Sequence, residues 1–486
     1  MGISFNAAAL LNGNGINVSS LVTALLAPAT APLTQMQNQQ TDLSTQAGLL
    51  TGYENNLTAL QAAVLSLAST TGPLASQSAT SSNSSILTAS AATTATSGTH
   101  QIVVSTLATT GTIYTNPLTN GTTSFLTNPA TTGDITLQVG GASGTTHDIV
   151  ITQGSNDTLN TLASYINQQK WGVTASVVTD ANGARLALYS QASGTPGALA
   201  ITNNTTSLVF NAPVGGTNAA LTIDGVPYSS ASNTITGAIA GVTLNLVSAV
   251  PATTVQLTVG PDATAATNAI NNFVSAYNAV LGNLNTQFTV DPTTNTEGPL
   301  GSDIALRQLQ TSLLNDASYS ITGNSGLVNL ASLGIDMNSD GTLTVNQTAT
   351  YDAQGNLIHQ SLPNVLATNP SAVQSFFQNA SSTGFANNFN NDLFNLTDAT
   401  NGILNADIAG NKTQQQSLTT QINNLQDRLT AEQAALTLEF DQVNATLEAY
   451  PSLLYEVTAE IGALNGNYNV STTTPNTTPN TGSSTG

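Results

Sequence analysis

The sequence predicts an α+β multidomain protein, in which terminal helices form a coiled-coil stalk and β-rich domains are inserted in the middle of the chain. Near the C-terminus, apolar residues recur in steps of mostly three and four over many helical turns. Near the N-terminus, apolar residues recur at intervals of seven, the repeat of a coiled-coil seam. Between them, apolar and polar residues alternate in segments rich in Thr, Val and Ile, with Gly and Pro between the segments. The simplest fold therefore packs the two ends of the chain together.

The first predicted element is a helical N-terminal arm. Residues 1–32 are predicted to be a flexible segment with a short helix, formed by an apolar cluster of Leu21, Val22, Leu25 and Leu26. Pro28 and Pro32 are expected to end this short helix, because proline disrupts a helix interior. The stalk helix is predicted over residues 33–75, with Pro32 in its first turn. Its heptad positions are Met36, Leu43, Leu50, Leu57 and Val64.

A second long helix is predicted near the other end, over residues 401–465. Glu432 occupies one position of its apolar stripe and is followed by two successive steps of four, which is typical of a stutter where a supercoil locally unwinds. A stripe of this length needs a partner to be stable in water. An ordinary helical core is the alternative, but the length and the terminal placement favour a helix pair. The stripe consists of Leu418, Ile422, Leu425, Leu429, Leu436, Phe440, Val443 and Leu447.

The pattern between the two stalk helices predicts three domains. Residues 76–112 and 216–261 are predicted to form an inner β domain, and residues 113–215 an outer β/α domain. Residues 262–400 are predicted to be a helical domain with a small β element. Residues 466–486 form a string rich in Thr, Asn, Pro and Gly, which cannot build a core and predicts a disordered tail.

The charge balance excludes several kinds of partner. The 486 residues include 5 basic and 25 acidic side chains, for a formal net charge of −20, and the basic residues are scattered singly. Such a chain offers no basic patch for nucleic acid or for an anionic membrane surface. No apolar run is long enough to predict a membrane span, and the N-terminus lacks the features of a cleaved signal peptide. The absence of cysteine excludes disulfides and thiol chemistry.

No motif predicts catalysis or a cofactor. The most site-like string is a turn with Asp336, Asn338 and Asp340, which matches the start of an EF-hand calcium loop. Gln347 stands where that loop needs a bidentate Glu, so a plain Asp/Asn/Gly turn is favoured over a metal site. The histidines lie far apart in sequence, and neither a nucleophile elbow nor a nucleotide-binding fingerprint is present. The sequence therefore predicts a protein that is not an enzyme.

Several segments of the chain resemble, in order, those of one known family. The N-terminal GINVSSLVTALLAPATAPLTQMQ resembles the family's opening, and residues 145–200 resemble an insertion motif that flagellins share. Residues 223–246 resemble the family's IDGV and GVTLNL segment. GPLGSDIALRQLQ, LASLGIDMNSDGTL and NPSAVQSFF resemble its C-terminal domain. By these segments the chain resembles the flagellar filament-capping proteins, also called hook-associated protein 2.

This resemblance implies a structural protein that caps the tip of the bacterial flagellar filament and promotes the folding and insertion of exported flagellin. It implies a homo-oligomer, a pentamer or a nearby ring size, with flagellin and a flagellar export chaperone as partners. It also implies an extracellular location, reached by the flagellar type III route without a cleaved signal peptide. The apolar cluster Leu21, Val22, Leu25 and Leu26 would then dock on the filament.

Two other classes of structural protein remain open at this point. A secreted surface-layer or adhesin-like protein would share the acidic, Thr- and Asn-rich, cysteine-free composition. Another flagellar axial protein, such as flagellin or a hook–filament junction protein, would share the terminal helices.

Overall fold

The computed structural model of the chain describes residues 17–127, 131–378, 383–398, 400 and 402–464. These residues fall into two compact units. The terminal unit comprises the described residues up to Glu54, Gln287–Ala305 and the described residues from Asp398 onward. The central unit comprises Asn55–Thr286 and Leu306–Thr397. The first half of the predicted flexible start, residues 1–16, and all of the predicted disordered tail lie outside the described residues.

Helices occur at both ends of the described chain and strands fill much of its middle, which confirms the predicted α+β class. The helices are α1 (Val18–Ala68), α2 (Leu159–Gln169), α3 (Ala263–Phe288), α4 (Ile304–Ala317), α5 (Leu362–Thr368), α6 (Pro370–Phe377), α7 (Phe385–Thr397) and α8 (Ile403–Leu464). The strands are β1 (Gln77–Ser81), β2 (Leu87–Ala91), β3 (Gly98–Thr106), β4 (Thr110–Tyr114), β5 (Thr132–Val139), β6 (Thr145–Thr152), β7 (Val173–Asp180), β8 (Gly183–Ser193), β9 (Leu199–Asn204), β10 (Ala219–Ile223), β11 (Val226–Ser230), β12 (Thr234–Ile239), β13 (Val242–Leu246), β14 (Thr254–Pro261), β15 (Ile335–Met337), β16 (Leu343–Val345), β17 (Thr350–Tyr351) and β18 (Leu357–His359).

Helix α1 is continuous through Pro28 and Pro32, whereas the sequence predicts a break there. Both prolines are exposed, while Val22 and Leu26 on another face of the helix are buried. Each proline removes a hydrogen bond from the carbonyl four residues earlier, and these carbonyls belong to exposed residues where water can replace the lost donor. Packing of the buried face then offsets the cost of the two prolines.

The inner part of the central unit is a sandwich of two antiparallel sheets. One sheet has the strand order β1-β14-β3-β10-β11, and the other has the order β12-β13-β2. Alternate residues of these strands face a common core, as their period of two predicts. Fully buried members of this core include Leu87, Ile102, Val104, Leu244, Val255 and Leu257.

The outer part of the central unit has two further antiparallel sheets, β4-β8-β7 and β6-β5-β9, which share a second core with α2. The cap of α2 is Thr158, whose hydroxyl accepts a hydrogen bond from the Thr161 amide in a reciprocal capping box. Just before this cap, the Asn156 side-chain oxygen accepts a hydrogen bond from the Thr152 amide, and its side-chain amide donates to the Val150 carbonyl.

The helical part of the central unit is built around aromatic rings. Phe273 on α3 meets Phe385 and Phe389 on α7 edge to face, with ring centroids 5.6 Å apart in both pairs. Phe376 and Phe377 on α6 join the same cluster, and all five rings are almost fully buried. The aromatic cluster therefore joins α3, α6 and α7.

The calcium-like turn is a hairpin turn between β15 and β16. Asp340 accepts hydrogen bonds from the Thr342 amide at 3.0 Å and the Thr342 hydroxyl at 2.6 Å. The Asp336 carboxylate instead bonds to His359 and to the side-chain amide of Asn346. These carboxylates are therefore satisfied within the protein, and the described residues hold no cluster of three or more His, Cys, Asp or Glu suited to a metal ion.

Among the described helices, none is long and apolar enough to cross a membrane.

Candidate functional site

The first parts of α1 and α8 lie side by side in the terminal unit. The Gln40 side-chain amide donates to the Thr419 hydroxyl at 2.9 Å, and the Gln415 amide donates to the Leu43 carbonyl at 3.1 Å. As residue numbers rise along α1, those of the partners fall along α8, so the two helices are antiparallel. The two ends of the described chain are therefore joined by direct contacts.

An apolar cluster packs between these two helices. Val22 and Leu26 on α1 are 2% and 7% exposed, and Leu425 and Leu429 on α8 are 7% and 8% exposed. Each helix contributes an apolar stripe to this cluster, and burial of the two stripes against each other stabilises the helix pair. Partly buried residues extend the cluster along both helices: Val18, Ala29, Leu33, Met36, Leu436 and Phe440.

A polar residue interrupts the buried face of α8. Leu404, Asn411, Leu418 and Leu425 recur at intervals of seven, and all four are buried. The Asn411 side-chain oxygen accepts a hydrogen bond from Gln415 at 2.6 Å, and Gln415 also donates to the Leu43 carbonyl. A polar group at a core heptad position favours the register that satisfies its hydrogen bonds. Sequence reasoning missed Asn411, although its spacing from Leu418 is the same heptad interval.

The predicted N-terminal heptad residues are divided between the two units. Leu50 is 1% exposed and belongs to the terminal unit, where Met36 and Leu43 are partly buried. Leu57 and Val64 belong to the central unit and are fully buried. The heptad residues of α1 therefore do not form one continuous coiled-coil seam with a single partner helix. A heptad pattern reports which face is apolar and cannot report a change of packing partner along the helix.

The predicted C-terminal stripe is likewise buried only in part. Leu418 and Ile422 are 8% and 6% exposed, whereas Val443 and Leu447 are 42% and 41% exposed. At the observed register, the first residue of α1 lies level with Phe440, so α8 continues past the end of its described partner. The apolar stripe nevertheless continues in alternating steps of four and three. We call these residues the exposed seam: Val443, Leu447, Tyr450, Leu454, Val457, Ile461 and Leu464.

The cluster predicted to dock on the filament is only partly accessible. Val22 and Leu26 are buried in the helix pair, while Leu25 is 39% exposed and Leu21 is partly buried. A helical period of 3.6 residues places these four side chains on different faces, so only some of them can reach a partner. That these four residues form a filament-docking segment stays a prediction, and Leu21 and Leu25 are its accessible members.

Titratable groups also meet in the terminal unit. Burial and the neighbouring Asp303 carboxyl raise the pKa of Asp407 on α8 to about 6. Burial and the charge of Asp303 raise the pKa of Tyr53 on α1 to about 12. The Asp407 Oδ2 atom is buried and receives no hydrogen bond from a donor among the described residues, which disfavours its ionised form. These residues are more than 100 positions apart, so no sequence pattern could have joined them.

Comparison with known proteins identifies the family. Family models for the N-terminus and the C-terminus of flagellar hook-associated protein 2 match residues 14–111 and 216–451, and the flagellin hook IN motif matches residues 134–192. The chain is 26% identical over 345 residues to the B-type flagellar hook-associated protein 2 of Pseudomonas aeruginosa, covering 65% of this chain and 69% of that protein. It is 27% identical over 476 residues to the flagellar hook-associated protein 2 of Escherichia coli K12, covering 90% of this chain and 95% of that protein.

A solved structure agrees with the sequence comparisons. The crystal structure of the D1-D2-D3 domains of the flagellar cap protein FliD from Escherichia coli superposes with a TM-score of 0.57 at 26% identity. The superposition covers 75% of this chain and 99% of that chain. Together with the paired terminal helices and the β-rich middle, these matches show that the chain belongs to the flagellar hook-associated protein 2 family.

Proposed function

We propose that this chain caps the tip of the bacterial flagellar filament and promotes the folding and insertion of exported flagellin subunits there. It is a structural protein rather than an enzyme, as its family is. Membership in a family that includes flagellar cap proteins supports this function. The exposed seam of α8 is the observation that carries the proposal, because it offers the chain a surface for docking on a helical partner.

The exposed seam is an apolar surface without a described partner in the terminal unit. Its exposed fractions run from 41% at Leu447 to 82% at Leu464. The alternating steps of four and three keep it on one stripe of α8 for about 33 Å, at about 1.5 Å of rise per residue. A continuous apolar stripe of this kind is typical of an interface in which a second helix packs along the first. We expect a helix of a filament subunit to cover it.

The negative charge of α8 restricts which partner helices could bind to the exposed seam. The acidic residues of α8 beyond Phe440 include Glu448, Glu456 and Glu460, and no basic residue occurs there. A partner with basic or amide side chains beside its apolar stripe would avoid repulsion, whereas an acidic partner would be rejected. The exposed seam therefore favours a partner that is apolar in the centre and neutral or basic at its rim.

The cap is expected to be a homo-oligomer, a pentamer or a nearby ring size. With 5 basic residues in a chain of net charge −20, salt bridges cannot dominate the contacts between subunits. Apolar, backbone and amide contacts would hold the ring together against long-range repulsion between acidic copies. Flagellin would then be recognised beneath the ring.

Export is expected to follow the flagellar type III route, with a flagellar export chaperone as an additional partner. The cysteine-free composition suits passage of an unfolded chain through a narrow channel, because no disulfide can form before export. The mature protein would act outside the cell at the filament tip.

Electron microscopy of filament tips tests the proposal. Cells that lack the protein are complemented with the unaltered chain, with a Leu454→Ser/Ile461→Ser variant of the exposed seam, or with a Tyr455→Ser control. Tyr455 is 68% exposed on the same helix and lies off the seam. We expect caps with the unaltered chain and the control, and uncapped tips with flagellin lost to the medium for the seam variant. Normal caps on seam-variant filaments, with the variant detected in the medium or at the tip, would contradict the proposal.

A further inference from the structure

The Asp316 carboxyl group is buried where its ionised form is unfavourable. It lies at the end of α4 in the central unit and is 5% exposed. Its Oδ2 atom is buried and receives no hydrogen bond from a donor of the described chain. An ionised carboxylate in this position would lack both water and a counter-charge, a combination that proteins avoid. The negative end of the α4 dipole disfavours the ionised form further.

The groups around Asp316 do not supply a counter-charge. Asp392 on α7 hydrogen-bonds to the Asp316 carboxyl group and adds a like charge. Burial acts most strongly, and together with these two effects of Asp392 it raises the pKa of Asp316 to about 8. No basic group is among the causes of this shift. A hydrogen bond between two carboxyl groups requires that one of them keeps its proton.

A tyrosine on a third helix lies near Asp316 without supplying a counter-charge. The Tyr277 hydroxyl on α3 lies 3.4 Å from the Leu313 carbonyl and 3.3 Å from the Gly341 carbonyl, and its single proton is directed to these acceptors. Burial, followed by the charge of Asp316, raises the pKa of Tyr277, so its phenol stays neutral. Tyr277 therefore adds no positive charge near Asp316.

We propose that Asp316 and Asp392 share one proton and form a latch that holds the end of α4 against α7. When the proton is lost, two carboxylates face each other at the edge of the aromatic cluster, and α7 loosens from the central unit. This device is independent of the proposed capping function, because it lies within the fold of the central unit.

The direction of the pH dependence follows from which state holds the proton. The folded protein binds the proton more tightly than the unfolded chain, so the latch is fully present below the ordinary pKa of an aspartate. The stabilisation is lost as the pH rises through about 8. This direction is opposite to that of an aspartate in a salt bridge, which stabilises a protein as the pH rises.

Infrared spectroscopy of the full chain observes the proton directly. A protonated carboxyl group has a carbonyl band that is separate from those of carboxylates and amides. We expect this band at pH 7 in the unaltered chain, its loss above about pH 9, and only a weak remainder from Asp407 at pH 7 in Asp316→Asn. An Asp134→Asn control changes the same charge at an exposed position and should keep the band. Complete ionisation of the unaltered chain at pH 7 would overturn the proposal.

Hydrogen exchange reports what the proton does to the structure. After correction for the intrinsic pH effect, exchange of the α7 amides should accelerate about tenfold for each pH unit above 8 in the unaltered chain and the Asp134→Asn control. In Asp392→Asn the like charge is gone and the amide can donate to Asp316 at any pH, so the acceleration should weaken, whereas Asp316→Asn removes the buried titrating group and should abolish it. Asp316→Asn provides the same test from the other partner if one variant fails to fold. Equal pH profiles in all variants, or a profile that shifts when a chelator removes divalent cations, would overturn the shared proton.

Discussion

Replacing Leu425 with alanine should open the helix pair of the terminal unit. Leu425 is 7% exposed and packs in the cluster with Val22, Leu26 and Leu429. Alanine has an equal or better helix propensity, so the substitution removes packing without weakening α8 itself. The effect therefore measures the contact between the two ends of the chain.

The expected magnitude follows from the size of the side chain that is removed. Leucine to alanine deletes the equivalent of three methylene groups, and at about 0.8 kcal/mol each the transfer term is about 2.4 kcal/mol. A cavity adds to this, although an interface of two helices can close partly around it. We expect a loss of about 2.5–4 kcal/mol in the free energy of opening the pair.

Hydrogen exchange of the amides in the first part of α8 is the suitable assay. The chain has two compact units, so a single melting temperature would mix their transitions. The matched control is Leu438→Ala on the same helix, because Leu438 is 62% exposed and its truncation should change the opening free energy by no more than about 0.5 kcal/mol. Equal exchange in both variants would mean that Leu425 is not packed against α1. A Leu425→Asp variant should show a still larger effect, since it places a charge in the apolar cluster.

Three other predictions concern polar and charged groups. Asn411→Leu should stabilise the helix pair but allow a second register between α1 and α8. This second register would appear as a second distance between spin labels on the two helices. A single unchanged distance would refute the role of Asn411 in fixing the register. Added salt should favour the oligomer, because screening weakens repulsion between chains of net charge −20, and dissociation at high salt in light scattering would argue against apolar contacts. The raised pKa of Asp407 means that its contribution to stability is present at low pH and is lost as the pH rises through about 6, so Asp407→Asn should flatten the pH profile of α8 exchange. An unchanged profile would assign that pH dependence to other groups.

Periodicity and turn residues correctly predict those elements whose apolar faces are covered by neighbouring elements of the fold. The steps of three and four predict α8 correctly, because Leu418 to Leu429 meet a stripe of the same kind on α1. The Asp180–Gly183 turn between β7 and β8 follows from its Asn-Gly pair, and Gly183 has a φ of 124°, which side chains rarely adopt. In both cases local chemistry and tertiary packing favour the same structure.

Other features were beyond the reach of the sequence for identifiable physical reasons. Pro28 and Pro32 predict a break, but the packed face of α1 outweighs their local preference. Val443 belongs to the same stripe as Leu429, but it is exposed because the described part of α1 does not reach it. The Asp316–Asp392 pair joins two helices that are far apart in sequence, so its environment exists only after folding. Periodicity reveals which face is apolar, and tertiary structure decides what covers that face.

The antiparallel pairing of the two chain ends can be measured most directly as a distance between spin labels. The chain has no cysteine, so Gln40→Cys and Thr419→Cys give a unique labelled pair at two residues that are in contact. A second pair, Thr30→Cys with Thr430→Cys, joins exposed positions that lie ten residues back along α1 and eleven residues further along α8. Antiparallel pairing predicts a short, narrow distance for both pairs, whereas parallel helices in contact at positions 40 and 419 would place positions 30 and 430 about 30 Å apart along the axis, at about 1.5 Å per residue. A broad or long distance between positions 40 and 419 would contradict it.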